Sequence, residues 1–185
     1  ADERLDDVDL RFPIGPKFWA PSDDEREAIR ALFNRSRIQS MIFRLNGRDE
    51  RDRMHLVDTA YWKKGCSSLG NLRFAVLIAI GGSKKMPADY ALIDLKEAVE
   101  SIAPAAKGIA MPQDHAQRVV AGAKALAPNL GERMLATCLM DKPIVLRELL
   151  PQDLKLEIGQ FSSGEAIRAA RYLAYVVGTA HARQM

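Results

Sequence analysis

A turn of small residues and a lysine on a later strand carry the clearest chemistry in this sequence. The turn spans residues 65–70, Gly-Cys-Ser-Ser-Leu-Gly, and the lysine is Lys96. Backbone N–H groups in such a turn can point together at an anion, and a strand lysine adds a fixed positive charge. Together they predict a nucleotide site that grips phosphate. Taken singly, each is a weak signal, because small turns are common and strand lysines usually face solvent.

Cys66 within this turn offers a different chemistry. Backbone amides could stabilise its thiolate and make it a nucleophile. No histidine lies near it in the sequence, so a small, half-buried structural residue is the favoured interpretation. The other cysteine, Cys138, is too far away in sequence for a C-x-x-C pair, and reduced thiols are expected.

Composition and charge describe an ordinary globular chain of 185 residues. Its 27 basic and 24 acidic residues give a formal net charge of +3, and the two signs alternate over residues 48–53. Such interspersed charge argues against nucleic-acid and membrane partners. The apolar runs are too short to span a bilayer and the N-terminus is acidic, so we expect a cytoplasmic protein. Because the chain starts without methionine and stops at Met185 after a helical pattern, we expect a processed or excised piece.

The elements that must position the turn and the lysine follow from periodicity. Residues 1–53 are predicted to form an arm and two short helices, the first started by a capping box at Ser22. Residues 54–160 are predicted to form a sheet with one helix over residues 113–127. On the strand that carries Lys96, alternation predicts one apolar core face and one polar cavity face.

Residues 161–185 are predicted to form one long helix that starts at Ser162 or Ser163. Its apolar stripe is expected to be packed, with His181 as a structural residue at the end of the stripe. The stripe consists of Ile167, Ala170, Ala174, Val177 and His181. The fold class is therefore α+β, a mostly antiparallel sheet of about five strands with helices packed on one side.

Five short motifs, in this order, resemble the later part of a bacterial family catalogued as domain of unknown function 2252. They lie at residues 65–70, 95–98, 117–122, 145–149 and 180–183. The resemblance runs from about Tyr61 to Met185, and more loosely upstream to Phe18. That family is similar to the aminoglycoside phosphotransferase and protein-kinase-like fold, with its catalytic loop placed before the glycine loop. The resemblance implies a kinase small lobe, a hinge and the first helix of the large lobe.

The same resemblance implies a site for ATP. The residues implied to contact it come from three places: Gly65, Ser67, Ser68 and Gly70 in the turn, Lys96 on its strand, and Arg147, Glu148 and Leu149 in the hinge. The turn would cover the phosphates, the lysine would contact the α- and β-phosphates, and hinge backbone groups would meet the adenine.

The catalytic half of such an enzyme is missing from the sequence. No histidine lies in a catalytic-loop motif and no Asp-Phe-Gly triplet can hold magnesium, so Mg would need residues outside this chain. Family members often carry an acid at the position of Ala121, which leaves the partner of Lys96 open. Glu97 is a poor substitute, since adjacent strand residues point to opposite faces.

The expected function is the nucleotide-binding portion of a kinase-like phosphotransferase that is not catalytically complete. The alternative is a non-catalytic, pseudokinase-like binding or interaction module. The expected partner is the missing catalytic portion, in the same protein or in a second chain, and a homo-oligomer stays open. Whether the family is enzymatic, and which acceptor it would use, stays open as well.

Overall fold

The computed structural model describes residues 10–65, 69–82, 87–104, 107–108, 110–127, 130–149 and 161–183. The strands are β1 (Phe18–Trp19), β2 (Met54–Trp62), β3 (Arg73–Ile80), β4 (Asp89–Glu97), β5 (Met134–Leu139) and β6 (Lys142–Leu149). The helices are α1 (Asp23–Phe33), α2 (Ser36–Arg44), α3 (His115–Leu126) and α4 (Ser163–Ala182), with a 3-10 turn over Leu45–Gly47. The predicted α+β class is confirmed.

The described strands form one antiparallel sheet of six strands in the order β1-β2-β3-β4-β6-β5. The strand beyond the predicted five is β1, where Phe18 and Trp19 pair with β2. Ring stacking holds this short strand, since Phe18 lies on Trp62 and Trp19 lies on Tyr61, with 5.9 Å between centroids in both pairs. At the far end of β4, the N–H of Ala98 donates to the carbonyl oxygen of Pro143.

Helices α1, α3 and α4 begin close to the predicted positions, and each has an N-terminal capping residue. The Ser22 hydroxyl accepts from the N–H of Glu25, and the Glu25 carboxylate accepts from the N–H of Ser22. Ser162 and Glu165 form the same capping box before α4, and Asp114 caps α3. Each cap satisfies N–H groups that have no partner within the helix.

The main hydrophobic core lies between α1, α2 and one face of the sheet. Alternate residues of β3, β4 and β6 are buried there, among them Phe74, Ile93 and Leu146, together with Ile29 and Ile42 from the helices. The predicted core face of β4 is therefore confirmed, because Ile93 and its neighbours at alternate positions point into it.

A buried ion pair lies on the same face. Arg48 donates to both carboxylate oxygens of Glu148 at 2.9 and 2.7 Å, and to Asp89 at 2.6 Å. Burial alone would lower the pKa of Arg48, but the hydrogen bonds and negative charges of Glu148 and Asp89 outweigh it and raise that pKa. Arg48 thus joins the loop before β2 to β4 and β6.

The other face of the sheet carries α3, which packs on β5 and β6. A smaller apolar cluster forms there from Ala98, Ala116 and Val145. The prediction that the helices pack on one side is wrong, since α1 and α2 cover one face and α3 covers the other. The physical reason is that β5 and β6 carry apolar residues at both odd and even positions, so each face has surface to bury.

Helix α4 contacts α3 but leaves its predicted stripe in solvent. Ile167 and Val177 are each 54% exposed, and His181 is exposed as well. The prediction of a packed stripe with a structural histidine is therefore wrong. The most buried side of α4 carries small residues instead, including Ala169 and Ala180, because small side chains let helices approach closely. Within the described ranges, no helix combines the length and apolar character that a bilayer span requires.

Candidate functional site

A cavity of about 580 Å³ opens on the α3 face of the sheet. Its volume is typical of pockets that hold small molecules. One part of its wall is polar and consists of Lys64, Asn71, Arg73, Asp94, Lys96, Glu97 and Arg147. The other part is apolar and consists of Ala98, Val99, Val119, Met134 and Val145. Strands β3, β4 and β6, helix α3 and the segment between β2 and β3 all contribute.

The residues on either side of the predicted phosphate turn lie at this cavity. Gly65 and Gly70 adopt φ angles of +74° and +78°, a conformation that side chains with a Cβ rarely take. Lys64, just before the turn, and Asn71, just after it, both line the cavity. Ser67 and Ser68 lie outside the described residues. Both flanks of the turn therefore meet the same space.

Lys96 lines that space from β4 with an exposed side chain. Directly opposite it on β3 is Arg73, whose guanidinium is bound by Asp94 and not by Lys96. In the part of the chain that the structure describes, Lys96 has no carboxylate partner. Helix α3 presents Val119 to the cavity rather than Ala121. Lys96 is therefore a cation that a ligand can neutralise.

Asp94 holds two guanidinium groups at the same wall. Asp94 is 1% exposed, and its carboxylate accepts from Arg73 at 3.0 and 2.7 Å and from Arg147 at 3.3 Å. The forked contact with Arg73 fixes both groups, and the ring of Trp62 lies 4.9 Å from the same guanidinium. Arg147 uses its Nε for Asp94 and is 43% exposed, so the rest of its guanidinium faces the cavity.

Glu97, the second carboxylate at the cavity, is also engaged. It lies 3.4 Å from Lys142 and accepts a 2.8 Å hydrogen bond from the N–H of Leu72. It reaches the cavity wall because β4 ends there, but its cation is Lys142 and not Lys96. Four basic and two acidic side chains line the cavity, and both acids are already paired. The lining therefore favours an anionic ligand.

A family model described as an uncharacterised protein conserved in bacteria, DUF2252, matches residues 4–185. The chain belongs to the DUF2252 family. The match reaches far upstream of Tyr61, where the motif resemblance was expected to begin, so α1 and α2 are part of the family sequence. No curated protein and no solved structure matches the chain.

Glu148 and Leu149, expected near the adenine, lie on β6 outside the cavity wall of this DUF2252 chain. The Glu148 side chain points to the opposite face, where it binds Arg48. The register of β6 with β5 ends at Arg147, while its register with β4 continues to Leu149. A backbone contact of these residues with a base stays a prediction.

Sequence reasoning missed Arg73 and the role of Asp94. The available signal was a carboxylate and an arginine within otherwise apolar strands, since buried charges are nearly always paired. Among the residues that the structure covers, no group of three His, Cys, Asp or Glu side chains is arranged to bind a metal ion. In this DUF2252 chain the chemical character of the cavity therefore comes from its basic side chains and its apolar wall.

Proposed function

We propose that this chain is the ATP-binding portion of a kinase-like phosphotransferase and is catalytically incomplete by itself. The observation that carries the proposal is the single cavity that joins Lys96 to both flanks of the 65–70 turn. The chain order supports it, since a hairpin, a strand lysine, a helix and two strands follow one another as in a kinase small lobe. A cytoplasmic location in a bacterium is part of the proposal, because ATP is found there and cysteines stay reduced there.

The two parts of the cavity wall suit the two parts of a nucleotide. Lys96 and the outward part of Arg147 would meet phosphate oxygens, while Val99, Val119 and Val145 offer an apolar surface to the base. Asp94 would act by holding Arg147 in position. The charge balance also supports an anionic ligand, because Lys96, Arg73 and Arg147 share one carboxylate, Asp94, at this part of the wall.

Magnesium and the phosphoryl transfer itself would need residues outside this chain. Asp94 and Glu97, the carboxylates at the cavity, are engaged by basic groups and would have to leave them to bind a metal ion. The catalytic loop would come from the missing portion of the same protein or from a second chain. Binding without transfer is therefore the activity proposed for this chain.

Calorimetric titration with Mg-ATP tests the proposal. Lys96→Ala should weaken binding about 10- to 100-fold, since hydrogen bonds to charged groups contribute about 1.5–3 kcal/mol. The matched control is Lys124→Ala, which removes an exposed lysine of α3 outside this cavity and should leave the affinity unchanged. No binding by the native chain, or equal weakening by both variants, would contradict the proposal.

A second candidate is a pseudokinase-like interaction module that has lost nucleotide affinity. Two observations favour it: Ala121 stands at the position where family members are expected to carry an acid, and α3 presents Val119 to the cavity instead of a carboxylate. Under this hypothesis the chain self-associates or binds other proteins and does not bind ATP. Light scattering that finds a monodisperse monomer, together with clear ATP binding in the titration, would exclude it.

A further inference from the structure

We propose that the outer edge of β5 binds an extended, acidic peptide segment of a partner protein, which adds to the sheet as a further strand. This inference goes beyond the proposed function, because the edge lies apart from the nucleotide cavity. The edge and the walls beside it are called the β5 groove below. Strand addition of this kind uses main-chain hydrogen bonds for affinity and flanking side chains for specificity.

The direction of the β5 backbone groups follows from its hairpin with β6. Met140 and Asp141, with φ angles of 50° and 58°, form a two-residue turn between the strands. Such a turn makes Leu139 and Lys142, which are partners in the register, a hydrogen-bonded pair. Counting back along β5, every second residue then points its N–H and C=O away from β6.

The residues whose backbone groups point outward are Met134, Ala136 and Cys138. The contact of Arg35 agrees with this assignment, since its guanidinium donates to the carbonyl oxygen of Cys138 at 3.3 Å. β5 is the last strand of the described sheet, and within the described ranges no backbone group pairs with its outer edge. Met134 and Ala136 therefore offer a template for a new strand.

The edge forms the floor of a groove. Two cavities of about 360 and about 330 Å³ lie along it, and Leu135 and Arg37 line both of them. Helix α2 forms one wall and α3 forms the other, because these helices cover opposite faces of the sheet. A segment in the groove would be held on its edge and on both of its faces.

The charges of the walls select an acidic segment. Arg37 on α2 and Lys124 on α3 are exposed, and neither has a carboxylate partner among the described residues. The acidic side chains nearby already have other partners, since Glu132 pairs with Arg44 at 3.3 Å and Asp114 caps α3. A second copy of this chain would bring the same cations against these walls, and like charges disfavour such pairing. We therefore assign the groove to a different, acidic partner.

Fluorescence polarisation with a labelled peptide of about eight residues, half glutamate and half valine or threonine, tests the inference. Saturable binding is expected, with no binding of the same peptide carrying lysine for glutamate. Arg37→Glu combined with Lys124→Glu should weaken binding at least about tenfold. Arg168→Glu combined with Arg171→Glu makes the same charge change on exposed positions of α4 and should leave the affinity unchanged.

Ala136→Pro tests the backbone part of the inference. Proline removes the outward N–H at this edge and leaves the pairing of β5 with β6 in place, so circular dichroism should stay native while peptide binding is lost. Lys96→Ala should not change peptide affinity, which separates this inference from the nucleotide proposal. Absence of saturable binding up to about 1 mM, or binding that survives Ala136→Pro, would overturn it. So would a dimer in sedimentation that Ala136→Pro dissociates, since the occupant would then be a second copy.

Discussion

The two faces of the sheet both bury charge, but with opposite balance. On the α1 and α2 face, one cation, Arg48, is held by the carboxylates of Glu148 and Asp89. On the α3 face, one anion, Asp94, is held by the guanidiniums of Arg73 and Arg147. The first cluster carries excess negative charge beside a closed core. The second carries excess positive charge beside an open cavity.

This difference is built into single strands. On β4, Ile93 and Leu95 belong to the core, while Asp94 and Lys96 belong to the cavity. Because side chains alternate along a strand, one segment supplies both the packing that holds the sheet and the charges that line the cavity. Substitutions on the two faces should therefore have different effects on stability and on binding.

The largest expected difference concerns apolar packing. Phe74→Ala removes a fully buried ring from the core face and should reduce the free energy of unfolding by about 3–5 kcal/mol in urea titrations. Val119→Ala, on the cavity wall and 40% exposed, should change it by less than about 0.5 kcal/mol. Similar losses for the two variants would show that the α3 face is packed as tightly as the core.

The next difference lies within the Asp94 cluster. Asp94→Ala leaves the buried guanidinium of Arg73 without a counter-charge and should cost about 3 kcal/mol of unfolding free energy. Arg147→Ala removes the exposed member of the cluster and should cost less than about 1 kcal/mol. Urea titrations measure both variants, and a larger loss for Arg147→Ala would mean that Arg147, not Arg73, anchors the carboxylate.

The smallest expected effect has the opposite sign. Lys96→Gln removes a positive charge that stands opposite Arg73 and should stabilise the fold by about 0.2–1 kcal/mol. Lys142→Gln removes the partner of Glu97 and should have no stabilising effect. Thermal unfolding of the two variants compares them directly. Destabilisation by Lys96→Gln would show that Lys96 serves the fold rather than a ligand.

Much of the fold follows from local sequence. The capping boxes at Ser22 and Ser162, the helical spacing of α1 and α2 and the alternation of β4 all predict elements that the structure contains. These signals are local, because a cap or a period involves residues a few positions apart. The turn at residues 65–70 and Lys96 are likewise visible in the sequence, and the cavity brings Lys96 to the flanks of that turn.

Long-range pairing could not be predicted in the same way. Asp94 binds Arg73 and Arg147, which are 21 and 53 positions away, and no local pattern encodes those distances. The prediction that the helices pack on one side of the sheet was wrong for a related reason. Helix α4 has an apolar stripe with regular spacing, but spacing identifies a face without identifying a partner, and Ile167 on that face lies in solvent.

The hydrogen bond from Ala98 to Pro143 explains how the cavity acquires its rim. Proline offers a carbonyl oxygen but has no N–H, so β6 can accept at this point and cannot donate. The last register pair between β4 and β6 joins Glu97 to Ile144, the residue next to this proline. Ala98 and Val99 then line the cavity instead of continuing the strand. Pro143, which has no N–H to donate, therefore lies beside the residues at which β4 ends and the cavity rim begins.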